Sequence, residues 1–571
     1  MKCILTVAVC LFSYSVLAQK SSVFWGDEFK LKRGSTDLRV VYADKSGVYL
    51  QEGHLALNTY FFVGATVRSS ATLIKLDKNL HELYRNDFNG ELKGKDYSQF
   101  FVIQDRLYLF ATVEQRKDRS MQVYACELDK NTGALMGDWR KLASFTAEGS
   151  TDQMSFKLTL NADSTRMIMV SAIKGREKNA YIIQDFDANM DPGSPPVTIK
   201  NEFDNDTYQL HEVLYTVERK ILLVAGIYEY REGKKKKTKF LDFANFNIRL
   251  YDKTGKFQKE VNTEIDGRWL ITMALSQQIN KDLILAAFYS NEKRGKSVDG
   301  MLVQRINSLT GEVLNTAMKE INYSQLTGNE SVGLGNLEEV ESKEERMERE
   351  KMEKSRDEGE AFSNYLRFRS IYFTEDKGLV IIAENLRHFN YTSERYNPGN
   401  SRRPDQWSYT HYSVYECGDI LVCKMDENGS IDWMRALPKS QREVIVLGSG
   451  TGMSSGGFYD PADGPYHAGF TSLANKNEVR ILFNDSPDNA SVTQPGQKAK
   501  LVSRFGKSEC FLVTINLATG NIEKESLFPN APIPTSMPRS STAFGNELYM
   551  IGKDDRPMAR SKIAVARIVI D

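Results

Sequence analysis

Four ionisable side chains in the last third of the chain could act together on a polymer: Glu384, His411, Asp460 and His467. A carboxyl beside a histidine can protonate a leaving oxygen and remove a proton from water or carbon, the chemistry of a hydrolase or lyase. A second group, Asp185, Asp187, Asn189 and Asp191, alternates along a run ending at Gly193 and resembles a calcium loop. An EF-hand needs Gly at its sixth position and a bidentate Glu at its twelfth, where Met190 and Pro196 stand. The run is therefore read as a turn, with a weak calcium site as the alternative. Gly452-Met453-Ser454-Ser455-Gly456 has the spacing of a nucleophile elbow. The glycines and proline that follow (Gly457, Pro461, Gly464) oppose the helix such an elbow requires. Gly448, Gly450 and Gly452 lack the Lys-Ser/Thr of a phosphate loop and read as a flexible linker. Six histidines (54, 81, 211, 388, 411 and 467) show no close metal spacing, and there is no Cys-x-x-Cys. No metal or cofactor is implied.

Placing these residues requires an account of the elements that carry them. A short apolar run bounded by turn signals recurs eight times: 47–50, 107–110, 167–170, 222–225, 283–286, 379–382, 479–483 and 548–551. Such runs are strands buried on both faces. Downstream of most stands an Asp or Asn followed by a turn, at Asp77, Asp129, Asp187, Asp252, Asn307, Asp426 and Asn516. These residues suit tight hairpins because their side chains bond the backbone just ahead. The period predicts an all-β chain: one large β-propeller of about eight four-stranded blades, seven if one unit is miscounted. The last copy stops at Asp571 after its third strand, so Val23–Leu31 is predicted to supply the missing fourth strand and close the ring.

Residues 1–18 have the form of a signal peptide: Lys2, an apolar stretch from Ile4 to Val16, and a small-residue site at Val16-Leu17-Ala18. Gln19 rather than Cys follows, which argues against a lipid anchor. No later stretch reaches the ~18–20 apolar residues of a membrane span. Residues 19–571 are therefore expected to be the propeller, exported to the periplasm, the cell surface or the medium. Cys126, Cys417, Cys423 and Cys510 remain after cleavage. Cys417 and Cys423 lie six strand steps apart, about 20 Å, against the ~4.4–6.8 Å of a disulfide, so the four are expected to be buried thiols.

Two segments break the repeat. Residues 331–362 form a charged insertion, helical or disordered, with eleven acidic and six basic residues between Glu338 and Glu360. Residues 385–416 read as a long loop bearing Arg387, His388, Tyr396, Arg402, Arg403, Trp407 and Tyr412.

The turn Asn428-Gly429-Ser430-Ile431-Asp432-Trp433 resembles the blades of quinoprotein-type propellers. That resemblance covers single turns and implies the fold, not a quinone cofactor. The whole chain is similar to uncharacterised exported bacterial propeller proteins, on Leu437-Pro438-Lys439-Ser440-Gln441 and Phe483-Asn484-Asp485. That family implies no activity.

Lys+Arg and Asp+Glu number 75 each, which excludes a global bias toward nucleic acid or membrane. The charge is nonetheless segregated. The second-to-third-strand tips, including Lys234, Lys235, Lys236 and Lys237, carry a net +12. A basic propeller face with Arg, Tyr and Trp beside it suits an anionic glycan or a protein partner. The acidic 338–360 stretch is expected to emerge on the same face and cover it. The sequence thus predicts a non-enzymatic binding or scaffold protein, without nucleic-acid specificity and with its oligomeric state left open. The alternative is an extracytoplasmic hydrolase or lyase acting on a polysaccharide or other polymer.

Overall fold

The structure is a computed structural model. It describes residues 21–570 apart from 32–34, 61–63, 116, 148, 150–151, 176–177, 205–206, 233–238, 262–263, 266, 278–281, 293–297, 322–365, 398–405, 428, 451–463, 532 and 555–561. Eight antiparallel sheets follow one another along the chain, each built on four strands, and no α-helix occurs among the described residues. Seven take these strands in sequential order, sheet 8 takes its fourth from Ser21–Trp25, and Phe29–Lys30, Glu264–Ile265 and Gln441–Gly450 are added as fifth strands. No helix there is long and apolar enough to cross a membrane. This is a β-propeller architecture. All eight apolar runs identified in the sequence are second strands of their sheets, such as Arg106–Gln115, Ile221–Glu232 and Glu478–Asp485.

The core is distributed between sheets. One apolar cluster joins sheets 1 and 2 through Leu73, Leu107 and Leu109. Equivalent clusters join each next pair, and the series returns from sheet 8 to sheet 1 through Tyr549, Val565, Val48 and Leu50. Ser21–Trp25 pairs antiparallel with Lys562–Ile570, so the first and last strands share sheet 8. Trp25 there packs edge-on against Phe528 of sheet 7 at 5.3 Å. Unpaired strand edges attract foreign strands, and this pairing covers the edge that the third strand of sheet 8 would otherwise expose.

The turn residues act as their chemistry predicts. Asp77, Asp129, Asp252 and Asn516 each accept a hydrogen bond from the backbone N–H two residues ahead. Gly520 completes one such turn at φ +70°, and a Cβ there would come within 3.0 Å of the Trp433 ring. Trp433, in the fourth strand of sheet 6, donates its Nε1–H to the Leu517 carbonyl of sheet 7 at 2.9 Å. The Trp in the Gly-x-x-x-Trp turn is thus a bolt between neighbouring sheets.

The segment 385–416 departs from expectation. It is the outward continuation of a hairpin, with Leu379–Asn397 paired to Gln406–Met425 along its whole length. The third partner, Gln441–Gly450, is a strand where Gly448 and Gly450 had suggested a linker. Alternating β-branched and aromatic residues, from His388 to Tyr396 and from Trp407 to Tyr415, fit a pleated ribbon, and a third strand lends it a packed face. The insertion 331–362 and the signal segment 1–18 lie outside the described residues. All four cysteines are free and buried.

Candidate functional site

Sheet 6 begins with Leu366–Phe373, in which Arg367 lies opposite Glu384 and Arg369 is the extra residue of a bulge between Phe368 and Ser370. First strands of neighbouring sheets touch: Leu366–Phe373 meets Arg268–Gln277, and Thr535–Phe544 meets both Ser35–Asp44 and Phe470–Ala474. These strands therefore surround the propeller axis.

Behind them lies Glu384, with no solvent exposure. One carboxylate oxygen accepts from Lys439 Nζ at 2.9 Å, and the other from Arg369 Nε at 2.8 Å and from Arg369 Nη2. Burial pushes the Glu384 carboxyl up, but the Lys439 and Arg369 charges outweigh it and hold the group at about 2. Lys439 is itself fully buried and also donates to Gln441 Oε1 at 3.1 Å. Gln441 reaches sheet 7, donating to the Asn484 carbonyl at 2.6 Å and accepting from the Gly469 N–H at 2.7 Å. The two segments that carried the whole-chain resemblance thus meet in this one polar centre.

More cations surround it. Arg539, from the first strand of sheet 8, is half-buried beneath Gly464 and Gly469, where a Cβ on Gly464 would lie 2.6 Å from its Nη1. That Nη1 is buried and has no hydrogen-bond partner. Burial, followed by repulsion from Arg369, lowers the Arg539 pKa against the pull of Glu384. Arg367 is lowered by its surroundings and by Arg369, although its side chain is exposed to solvent.

The couplings span the ring. Arg367 of sheet 6 depresses His211 of sheet 4, after the effect of burial, and Arg369 of sheet 6 acts on Arg539 of sheet 8. Sheets 5 and 7 intervene, so these groups face a common central space. His211 Nε2 stands 3.3 Å from the Tyr228 hydroxyl. Arg369 and Lys439 pair with Glu384, and Arg367 and Arg539 both lie within electrostatic reach of Arg369, a local concentration of positive charge that attracts anions.

His467 belongs to the loop that wraps Arg539. Glu443 gathers the N–H groups of Tyr466 (3.3 Å), His467 (2.8 Å) and Ala468 (2.8 Å). The ring Nδ1 donates to the Ser536 carbonyl at 3.1 Å, which sets the orientation of the imidazole.

Of the other residues singled out in the sequence, His411 lies out on the hairpin, with Nδ1 2.8 Å from Thr392 Oγ1 and six register positions beyond Cys417. That is about 20 Å along the strand, away from Glu384. Asp460 lies outside the described residues, as do Lys234, Lys235, Lys236, Lys237, Arg402 and Arg403. Arg387 sits 3.8 Å from Glu416 and over the Phe389 ring. His388 bonds Ser413 Oγ at 2.7 Å and stacks on Tyr415 at 4.3 Å. Tyr396 and Trp407 are opposite one another in the ribbon's register, and Tyr412 is half-buried opposite Tyr391.

In the acidic run, Asp185 is buried and takes hydrogen bonds from Arg166 (2.8 Å), Ser194 (2.8 Å) and Tyr215 (3.1 Å). Asp187 caps its own turn, Asn189 accepts from Arg106 and Arg140, and Asp191 pairs with Arg140 at 2.7 Å. These oxygens are engaged by protein donors as a hairpin turn. No group of metal-binding side chains occurs among the described residues.

The sequence reading missed Arg367, Arg369, Arg539 and Lys439. The one local signal was the Leu-Arg-Phe-Arg alternation of a first strand.

No known family profile and no curated protein matches the chain. Among solved structures, polysaccharide lyase Uly1 is 7% identical, over 96% of this chain and 100% of that one, with a TM-score of 0.32. The β-propeller domain of the Trilobed protease from Pyrococcus furiosus is 11% identical, over 87% and 99%, also with a TM-score of 0.32. Prolyl oligopeptidase B from Galerina marginata is 12% identical with a TM-score of 0.26; the alignment takes in 60% of this chain and spans only 37% of that one. The comparisons give no support to the quinoprotein-type resemblance or to membership of an exported family.

Proposed function

We propose that this protein is an exported, ring-closed propeller that binds an acidic polysaccharide at its cationic channel. The observation that carries this reading is the clustering of Arg367 and Arg539 about the Arg369–Glu384–Lys439 centre, with a buried Arg539 nitrogen lacking any partner. Lys439 and Arg369 neutralise Glu384, and Arg367 and Arg539 are left to receive carboxylates or sulfates. The basic tips, Lys234 to Lys237 among them, add long-range attraction. The half-buried Tyr412 on the ribbon offers a ring for a sugar face.

The test is binding of polygalacturonate and of neutral dextran across a salt series, by wild type and by Arg367→Ala and Arg539→Ala. Each variant should lose about tenfold in affinity for the anionic polymer, the loss of one charge-assisted contact. Unchanged affinity in both variants would remove the channel from the reading.

A second reading, cleavage of the same polymer, is favoured by one feature. His467, its Nδ1 held on the Ser536 carbonyl, lies in the loop around Arg539. A cation that holds a uronate carboxylate beside a base is what a lyase needs to remove the proton next to that carboxylate. Glu384, held at about 2 and saturated by Lys439 and Arg369, does not serve as the acid or base. New absorbance from an unsaturated product, lost in His467→Gln, would establish cleavage.

A further inference from the structure

Between sheets 3 and 4 lies a cavity of ≈ 430 Å³, lined by Lys157, Asn179, Tyr181, Tyr208, His211 and Glu212 among others. Its size falls within the range of small-molecule sites. His211, whose Nε2 stands 3.3 Å from the Tyr228 hydroxyl, forms part of its wall.

The wall is built for hydroxyl groups. Asn179 is 8% exposed, and its Oδ1 is a buried acceptor with no donor, while its amide N–H₂ is used on the Tyr208 carbonyl at 3.4 Å. Buried acceptors are ordinarily paired, so a donor belongs in this space. Glu212 supplies a second acceptor; burial raises its pKa and Lys157 partly offsets that. Two acceptors at the wall oppose a carboxylate or sulfate. Lys157 supplies donors, and the half-buried Phe156 ring supplies apolar surface, with Tyr181 and Tyr208 buried in the wall. Donors, acceptors and aromatic carbon in one cleft are the complement of a pyranose ring, which has hydroxyls at its edge and C–H groups on its faces.

We propose that this cleft binds a neutral saccharide unit, with Asn179 Oδ1 and Glu212 accepting from its hydroxyls. The cleft uses none of the cations of the channel site. That its sugar belongs to the same polymer rests on the function proposed above; the cleft itself does not.

The experiment is titration of the full chain with cellobiose, lactose and galacturonic acid, observed by ligand NMR. The variants are Asn179→Leu, Glu212→Gln and Arg539→Ala. A neutral disaccharide should bind, and Asn179→Leu and Glu212→Gln should each weaken it by about tenfold, one good hydrogen bond's worth. Arg539→Ala should leave it unchanged and weaken galacturonic acid instead. Glu212→Gln is isosteric and half-buried, so it decides the matter if Asn179→Leu fails to fold. Binding of neither disaccharide, or binding indifferent to Glu212→Gln, overturns the proposal. Loss of galacturonic acid binding alone would count only against the channel reading.

Discussion

The charge cluster at Glu384 makes a prediction about acid stability. In the folded protein this carboxyl titrates at about 2 against an ordinary 4.5. Because the group is completely buried, solvent screening does not dilute the effect, and a shift of that size corresponds to ~3 kcal/mol of folding stability. The folded-state value is the depressed one. The contribution is therefore fully present above about 4.5 and is lost as pH falls toward about 2. Glu384→Gln removes the titrating group and leaves Lys439 and Arg369 facing an amide, so the variant should be less stable at neutral pH by ~3–5 kcal/mol. The gap between variant and wild type should shrink by ~3 kcal/mol between pH 5 and pH 2. Urea unfolding followed by tryptophan fluorescence at each pH measures both quantities. Other depressed carboxyls, such as Asp376 and Asp44, titrate in the same window, but they are common to both proteins and cancel in the difference. Parallel pH profiles in the two proteins would refute the assignment of this charge cluster as a stabilising centre.

Deleting residues 21–30 should uncover the edge of Lys562–Ile570 and remove Trp25 from its contact with Phe528, costing at least ~3 kcal/mol and promoting association, as read by unfolding and light scattering. The four thiols should resist a thiol reagent in the folded protein and react together on unfolding, since burial holds Cys417, Cys423 and Cys510 at about 12. Rapid labelling of any of them in the native state would contradict their placement.

The repeat was legible because it is written in local chemistry. Apolar runs such as Leu222–Ala225 and turn residues such as Asp252 and Gly255 encode strand and hairpin within a few residues, and the count of eight follows from their period. The truncated last copy ending in Ile568-Val569-Ile570 likewise pointed to the pairing with Ser21–Trp25. The ribbon at 385–416 was misread because its polar and aromatic residues look like loop composition, and its strand character depends on the remote partner Gln441–Gly450.

The site was less legible still. Arg369, Glu384, Lys439 and Arg539 are spread along 170 positions and over two sheets that are not neighbours, and each alone resembles an ordinary surface charge. Glu384 and His467 do fall in one region, but His411 is carried away along the hairpin. The sequence by itself determined the strands, the turns and their number, because those depend on hydrophobic alternation and backbone preference over a few residues. The tertiary structure decided which charges face one another. Only the arrangement of first strands around an axis brings Arg367 near His211 and Arg369 near Arg539, and Coulomb coupling follows distance in space rather than along the chain.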